Sequence, residues 1–184
     1  ELLEGEGVKG LILDLRNNPG GLLEEAAAVA GKFVDQGPIF NVTDGSGTDP
    51  YLTRGNDLPN LPVAVLINQG TASAAEILAG ALQDHQMGML VGERSFGKGV
   101  IQTAYPLSDG SGVIITTAEY TTPGGHRVQD LGLVPDIPVT DEGEEDHQLQ
   151  AARQWVEEHL GSLCPCSARH DRSSPALLPL SRRG

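Results

Sequence analysis

Two apolar segments, each followed by a break and then by a helical pattern, constrain the fold of this chain most strongly. Residues 8–15 (VKGLILDL) and 62–68 (PVAVLIN) are nearly continuous apolar runs, as is typical of strands buried on both faces of a sheet. A glycine-containing loop follows each run, and helical patterns then follow at 22–33 and 74–86. The repeated strand–helix unit predicts an α/β domain in which helices cover a mostly parallel sheet.

Further strands are expected around this core. A weak strand is predicted at 39–43, inside a surface segment rich in Gly, Pro, Asp and Asn, and a short strand at 89–91. Strand patterns at 100–107 and 112–120 are joined by Ser-Asp-Gly-Ser, which indicates a hairpin. The prolines of the segment 132–139 suit an edge strand.

Composition divides the chain into three parts. Residues 1–140 contain the strand and helix patterns of the core, and 141–161 form an acidic linker followed by a C-terminal helix at 148–160. The segment 162–184 is rich in Ser, Pro and Arg with little to pack, which predicts a disordered tail. Because the chain begins at Glu1 rather than Met and enters a strand pattern almost at once, we expect it to be the later part of a longer polypeptide.

Charge and cysteine usage exclude several classes of protein. The 184-residue chain has a net charge of −13 and no basic stripe, which disfavours nucleic-acid binding. No apolar run approaches the roughly 20 residues that span a membrane, so no transmembrane segment is expected. Cys164, Cys166 and His170 offer at most three ligands where structural zinc takes four, and we expect neither a metal nor another cofactor.

Ser73 begins the second helical pattern. The unpaired N–H groups and the positive dipole end of a helix start stabilise developing negative charge, so a serine at this position suits a nucleophile. The N–H of Ala74 is the natural first oxyanion donor, and Gly20-Gly21 is a good source of the second, because glycine lets a backbone approach a ligand closely. Ser73 and Glu76 also match a capping box, which would only stabilise the helix, and the sequence leaves both roles open.

Lys98 follows Ser73 by 25 residues, in a glycine-flanked turn beside Phe96. Lysine accepts a proton only as the neutral amine, which burial without an anionic partner favours, whereas an ordinary loop lysine is an exposed cation. Gln102 would face the same side as Lys98 on a strand, where its amide could orient the amine. The alternative for Gln102 is a polar side chain on an exposed strand face.

The histidines offer little support for a Ser-His-Asp triad. His85 lies on the same predicted helix as Ser73, 12 residues further on, which is about 18 Å along the axis. His126 lies in a glycine-flanked turn and is the one alternative base that the sequence leaves open. The remaining histidines lie in the acidic segment, the last helix and the tail, at positions 147, 159 and 170.

Four motifs occur in one order along the chain: DLRNNPGG at 14–21, SAAE at 73–76, GERSFGKG at 92–99, and Gln102. Together they resemble the carboxyl-terminal processing proteases, also called tail-specific proteases, a family of Ser/Lys endopeptidases. The resemblance runs through about residues 8–139 and includes the serine-to-lysine interval and the closing GLVPDI segment.

This resemblance implies a protease catalytic core at 1–140, with a Clp protease/crotonase-like fold and a C-terminal hairpin. It implies that Ser73 is the nucleophile, that Lys98 is the general base and that Gln102 positions Lys98. The backbone N–H groups of Gly21 and Ala74 would form the oxyanion hole. The implied activity is a serine-type endopeptidase that cleaves polypeptides with accessible C-termini, near those termini, through an acyl-enzyme.

The resemblance also implies a partner domain and a compartment. Family members usually carry an upstream PDZ domain that captures the substrate's C-terminus, and we expect this chain to lack that domain. They work outside the cytosol, in the bacterial periplasm and cell envelope or in the thylakoid lumen of chloroplasts. Two alternatives stay open: a non-catalytic scaffold that binds polypeptide tails, and a crotonase-like acyl-thioester enzyme that would use an oxyanion hole without a serine nucleophile.

Overall fold

The computed structural model describes residues 7–55, 61–140 and 144–160, which contain eight strands and three helices. The strands are β1 Leu11–Asp14, β2 Gln36–Asp44, β3 Gly47–Arg54, β4 Val63–Ile67, β5 Met89–Gly92, β6 Val100–Pro106, β7 Gly112–Thr121 and β8 Ile137–Pro138. The helices are α1 Leu23–Ala30, α2 Ala74–Asp84 and α3 His147–Glu158. None of these helices is long and apolar enough to cross a bilayer.

A parallel sheet of four strands, in the order β1-β4-β5-β8, forms the centre of the domain. Every residue of β4 is buried, because its side chains alternate between two apolar clusters. Val63, Val65 and Ile67 pack into the cluster that contains α1 and α2, whereas Ala64 and Leu66 pack with α3. The predicted α/β class with a mostly parallel sheet is confirmed.

A second sheet, antiparallel and also of four strands, has the order β3-β2-β7-β6. The predicted hairpin forms its β6 and β7, and the predicted weak strand at 39–43 is the longer β2. The composition predicts no strand at 44–54, which is wrong, since β3 pairs with β2 along its whole length. Because β3 lies at the edge of its sheet, with much of its surface in solvent, its sequence lacks the apolar alternation of a half-buried strand.

The ends of several elements differ from their predicted positions. Helices α1 and α2 each end before the predicted 33 and 86, and the closing segment forms only the two-residue strand β8, at the predicted sheet edge. Helix α3 begins after Asp146, whose carboxylate accepts a hydrogen bond from the N–H of Leu149. The predicted disordered tail, with its cysteines and His170, lies outside the described residues, as does 141–143 of the acidic linker.

Three loops leave the parallel sheet at the edge formed by the carboxyl ends of its strands. Residues 15–22 follow β1, 68–73 follow β4 and 93–99 follow β5, and the three strands are parallel neighbours. The carboxyl ends of parallel strands lie at the same edge, which is where open α/β sheets place their ligand sites. The loops bring Gly20-Gly21, Ser73 and Lys98 to this edge.

Candidate active site

Ser73 lies in a strained turn between β4 and α2. Its backbone has φ 55° and ψ −122°, a conformation that costs a non-glycine residue about 1–3 kcal/mol. Ser73 and Glu76 take up the capping-box arrangement, but the N–H of Glu76 makes its 2.8 Å hydrogen bond to the carbonyl of Ser73. Apart from this capping box, the Ser73 hydroxyl makes no hydrogen bond with any described residue.

Glu76 connects the serine turn to the lysine turn. Its side chain is fully buried, and its carboxylate accepts hydrogen bonds from the N–H groups of Ser73 (2.9 Å), Gly97 (2.8 Å) and Lys98 (2.9 Å). The hydroxyl of Ser95 donates a fourth, at 2.5 Å. A buried carboxylate requires such donors, and this set fixes the backbone of Ser73 relative to that of Lys98.

Tyr120 makes a second connection between the same two turns. Its buried hydroxyl lies 3.1 Å from the carbonyl oxygen of Ser73 and 2.9 Å from that of Lys98, and it can donate to either. Its own N–H donates to the carbonyl of Gly99 at 2.8 Å. Burial, and secondarily the nearby charge of Glu76, raises the pKa of Tyr120 above its ordinary value, so the hydroxyl remains a donor.

Lys98 is half-buried in this arrangement. Its side chain forms no hydrogen bond or ion pair with any of the residues 7–55, 61–140 and 144–160. No acidic partner in those ranges therefore holds its amine away from Ser73. The ring of Phe96, two residues before Lys98, is 66% exposed and lies largely in solvent.

Gly20 and Gly21 lie against the serine turn. A Cβ on Gly20 would come within 2.6 Å of the carbonyl oxygen of Ala72 and 2.7 Å of the nitrogen of Ala74, and its φ of +91° also favours glycine. The N–H of Ala72 donates to the carbonyl of Asn18 at 2.9 Å. The N–H groups of Gly21 and Ala74, the predicted oxyanion donors, have no hydrogen-bond partner in the described part of the chain.

Two further contacts hold the three loops together. Asn17 and Asn68 form a reciprocal pair, with the N–H of Asn17 donating to Oδ1 of Asn68 (2.9 Å) and Nδ2 of Asn68 donating to Oδ1 of Asn17 (3.2 Å). The buried hydroxyl of Thr71 donates to the carbonyl of Leu15 at 2.7 Å, and the carbonyl of Thr71 accepts from the N–H of Phe96. The loop that carries Gly20-Gly21 is thus tied to the loop that carries Ser73.

Two sequence candidates lie apart from this arrangement. Gln102 is exposed on β6 just after a register shift, and its side chain makes no hydrogen bond with a described residue. Its positioning of Lys98 stays a prediction. His126 contacts Asp84 at 3.2 Å, and Asp84 ends the helix that Ser73 begins, about 16 Å away along the axis. His126 therefore does not reach Ser73.

Sequence reasoning missed the roles of Glu76 and Tyr120. Glu76 was recognised only as a capping-box residue, although its apolar neighbours on α2 indicate a buried position that needs several donors. Tyr120 ends an exposed strand pattern, and nothing in its local sequence indicates that it contacts residues 47 and 22 positions earlier. Both roles depend on contacts between distant parts of the chain.

A charged cluster lies at the same edge of the sheet. The guanidinium of Arg16 makes hydrogen bonds of 2.8 Å to both Asp14 and Asp146, beside a polar cavity of about 320 Å³. Hydrogen bonds from Arg16 hold the pKa of each aspartate below its ordinary value of 3.8. Within the described ranges, no three His, Cys, Asp or Glu side chains are arranged to hold a metal ion.

A strained serine at the start of a helix, beside unpaired N–H groups, is a geometry typical of serine-type hydrolases. The family model of Peptidase family S41 matches residues 1–139, and the chain belongs to this family. The predicted relationship to the carboxyl-terminal processing proteases is confirmed.

Individual relatives agree with this assignment. Over 138 residues the chain is 49% identical to a carboxyl-terminal-processing protease of Synechocystis, covering 74% of this chain and 32% of the relative. Over 142 residues it is 48% identical to a chloroplastic C-terminal processing peptidase of Tetradesmus obliquus, covering 76% of this chain and 31% of the relative. The solved photosystem II D1 C-terminal processing protease superposes with a TM-score of 0.72 at 43% identity, covering 84% and 40% of the two chains. The chain thus spans about a third of the length of the two curated relatives.

Proposed function

We propose that this chain is the catalytic core of a serine endopeptidase that cleaves polypeptides near their C-termini through an acyl-enzyme. Ser73 is the nucleophile and Lys98 the general base. The N–H groups of Gly21 and Ala74 hold the oxyanion. Gln102 orients Lys98 once a substrate is bound, which requires its exposed side chain to turn toward the amine.

The reaction has two halves. The neutral amine of Lys98 takes the hydroxyl proton as Oγ of Ser73 attacks the scissile carbonyl carbon, and the oxyanion forms next to Gly21 and Ala74. The C–N bond then breaks, and the proton passes from Lys98 to the leaving amine. Water, deprotonated by Lys98, attacks the ester carbon, which releases the new C-terminus and returns the proton to Ser73.

One observation carries the proposal: Glu76 and Tyr120 both join the backbone of Ser73 to that of Lys98. A general base is effective only within hydrogen-bond reach of the proton that it takes, so the two backbones must be held in a fixed relation. Two buried side chains with this shared connection support a Ser/Lys pair more strongly than the 25-residue interval does.

Alanine substitutions test the pair directly. Ser73→Ala should abolish cleavage of a fluorogenic peptide, and Lys98→Ala should lower kcat by about 10²–10⁴-fold, because a positioned base contributes about that much. Ser111→Ala and Lys9→Ala, at exposed positions outside the site, are the matched controls.

Covalent labelling separates catalysis from mere binding. A fluorophosphonate should label the wild-type protein at Ser73, label Lys98→Ala slowly and leave Ser73→Ala unlabelled. A wild-type protein that binds peptides but resists the probe would be a non-catalytic scaffold instead. Unchanged turnover in Lys98→Ala would reject lysine as the base.

The names of the relatives support a preference for C-termini and a compartment outside the cytosol. They are named carboxyl-terminal processing enzymes, and some are chloroplastic. We therefore place the protein outside the cytosol, in a bacterial envelope or a thylakoid lumen, where an upstream PDZ domain of the full-length protein captures the tail. Moving the scissile bond away from the C-terminus in a peptide series should lower kcat/KM, and equal cleavage at all positions would contradict this preference.

A further inference from the structure

The closing GLVPDI motif begins within a loop at 128–133 that packs against the lysine turn at 93–99. Val128 and Leu133 are buried in the main apolar cluster and anchor the two ends of this loop. The N–H of Ser95 donates to the carbonyl of Leu133 at 3.1 Å, and the hydroxyl of Ser95 accepts from the N–H of Leu133 at 2.6 Å. The loop is thus anchored in the core and bonded to the lysine turn.

Glycines on both sides of Lys98 allow the loop and the turn to touch backbone to backbone. A Cβ on Gly97 would come within 2.8 Å of the nitrogen of Gly132, and a Cβ on Gly99 would overlap the nitrogen of Gln129. Only glycine avoids these overlaps. The loop therefore lies directly against the backbone before and after the lysine.

The backbone N–H and carbonyl groups of residues 97–99 all lie within hydrogen-bond distance of a partner. Glu76 accepts from the N–H groups at 97 and 98, and the hydroxyl and N–H of Tyr120 lie 2.9 and 2.8 Å from the carbonyl oxygens at 98 and 99. The loop supplies the other partners. The N–H of Asp130 donates to the carbonyl at 97 (2.9 Å), and Oε1 of Gln129 accepts from the N–H at 99 (2.8 Å). The lysine backbone is therefore held from two sides.

Gln129 holds the last of these groups with a half-buried side chain. Its Nε2 donates to the carboxylate of Asp130 at 2.7 Å, which fixes the amide so that Oε1 faces the N–H of Gly99. Gly99 directly follows the lysine and directly precedes β6, so a shift at this point moves the lysine relative to the serine turn. Because a base must lie within hydrogen-bond reach of the proton that it takes, such a shift slows proton transfer.

We propose that Gln129 is a positioning residue for Lys98. Its hydrogen bond to the N–H of Gly99 fixes the backbone on the C-terminal side of the lysine, and thereby the distance from the amine to Oγ of Ser73. This inference rests on the proposed function and extends it to the loop in which the GLVPDI motif begins. Loss of the acceptor oxygen should lower kcat and leave KM nearly unchanged, because the hydrogen bond acts on proton transfer and not on substrate binding.

Two substitutions of similar length separate the acceptor oxygen from the packing of Gln129. Gln129→Met removes the oxygen and should lower kcat for a fluorogenic peptide about tenfold, since a misplacement of about 1 Å can cost about 10²-fold. Gln129→Glu keeps an oxygen at the same position, although it loses the bond to Asp130, and it should retain kcat within about threefold. A Gln129→Glu protein as slow as Gln129→Met would overturn the role of the oxygen.

Gln83→Met is the matched control for a purely structural role. The side chain of Gln83 donates to the carbonyl of Val134 and to the carboxylate of Asp136, just beyond the loop, and makes no contact with the lysine turn. Its loss should leave kcat within about twofold of wild type, whatever it does to the urea midpoint. An equal loss of kcat in Gln83→Met and Gln129→Met would limit Gln129 to holding the loop in place, and the inference would fail.

Covalent labelling shows whether Gln129 acts through the lysine. Gln129→Met should slow fluorophosphonate labelling of Ser73 about tenfold in the otherwise wild-type chain, and it should not slow further the residual labelling of Lys98→Ala. Equal slowing in both backgrounds would contradict the inference and leave the proposed function standing. If the wild-type protein is neither labelled nor active, the catalytic assignment fails and the inference falls with it.

Discussion

The two sides of the candidate site differ in the chemical groups that form them. On one side, Ser73 and Lys98 are joined through buried polar atoms of Glu76 and Tyr120. On the other side, Gly21 and the start of α1 present unpaired N–H groups and exposed apolar side chains. Proton transfer tolerates little error in distance, whereas side-chain binding depends mainly on apolar area. The difference indicates that one side is fixed in advance and that the other is completed by the substrate.

The largest expected effect comes from removing the carboxylate on the fixed side. Glu76→Ala leaves three N–H groups and the Ser95 hydroxyl without their acceptor. Unpaired buried donors cost about 1–3 kcal/mol each, partly relieved by water, so we expect a loss of about 3–5 kcal/mol in the free energy of unfolding. Urea denaturation measures this loss, and fluorophosphonate labelling of Ser73 should disappear.

Two controls bracket this effect. Glu76→Gln keeps the shape and one acceptor oxygen, and it should lose less stability than Glu76→Ala. Glu24→Ala, at an exposed position on α1, should change the free energy of unfolding by about 0.5 kcal/mol or less. If Glu76→Ala were as stable as Glu24→Ala, Glu76 would not hold the two turns together.

Substitutions at two adjacent glycines test the other side of the site, which is formed by Gly21 and the start of α1. Gly20→Ala places a Cβ about 2.6–2.7 Å from backbone atoms of the serine turn and forces an alanine to a positive φ. It should push the loop off the N–H of Ala74 and lower kcat by about 10²-fold, as the loss of an oxyanion donor does.

Gly21→Ala is the informative comparison. A Cβ on Gly21 meets no atom within 4 Å, and the substitution keeps the N–H, so kcat should fall far less than in Gly20→Ala. Gly45→Ala, in the turn between β2 and β3, also meets open space and serves as a distant control. Equal activity in Gly20→Ala and Gly45→Ala would show that the loop does not shape the site.

The same contrast explains what the sequence could predict. The central strand β4, the helix start at Ser73 and the glycine-flanked lysine turn are local patterns, and each is found where the sequence placed it. The order of motifs then identified the family. Features that depend on a few neighbouring residues were therefore recoverable.

Features that depend on contacts between distant residues could not be predicted from the sequence. The edge strand β3 owes its existence to pairing with β2, not to its own residues. The role of Tyr120 requires contacts with two loops that precede it, and the register shift at Gln102 removes the simple alternation that placed it beside Lys98. The structure and contacts of these residues depend on their position in the sheet and not on their intrinsic propensity.

A smaller effect is expected when Tyr120, the second connection between the serine turn and the lysine turn, loses its hydroxyl oxygen. Tyr120→Phe removes only the hydroxyl that lies between the carbonyls of Ser73 and Lys98. The free energy of unfolding should fall by about 1 kcal/mol, the net value of a hydrogen bond. Since the hydroxyl also sets the distance between the two turns, kcat should fall about tenfold with KM nearly unchanged.

Steady-state kinetics and urea denaturation together assess this variant. Tyr105→Phe, at an exposed position on β6, is the matched control. A Tyr120→Phe protein that loses stability but keeps the wild-type kcat would limit the hydroxyl to a structural role.

The smallest expected effect concerns the charged cluster of Arg16, Asp14 and Asp146, at the same edge of the sheet as the site, and it depends on pH. Hydrogen bonds from Arg16 hold the pKa of Asp14 and of Asp146 below 3.8 in the folded state, so their contribution is fully present above that value. It is lost as the pH falls through the lowered folded pKa values, because protonated carboxyls no longer pair with Arg16. Since the two carboxylates are 49% and 42% exposed, solvent screening limits the contribution to about 1 kcal/mol.

Urea denaturation should therefore show Arg16→Gln less stable than wild type at neutral pH and nearly equal to it well below pH 3.8. Arg153→Gln, which breaks a more exposed pair with Glu157 on α3, should show a smaller difference at neutral pH. A gap between wild type and Arg16→Gln that persisted undiminished in acid would mean that Arg16 stabilises the fold by packing and not by its carboxylate partners.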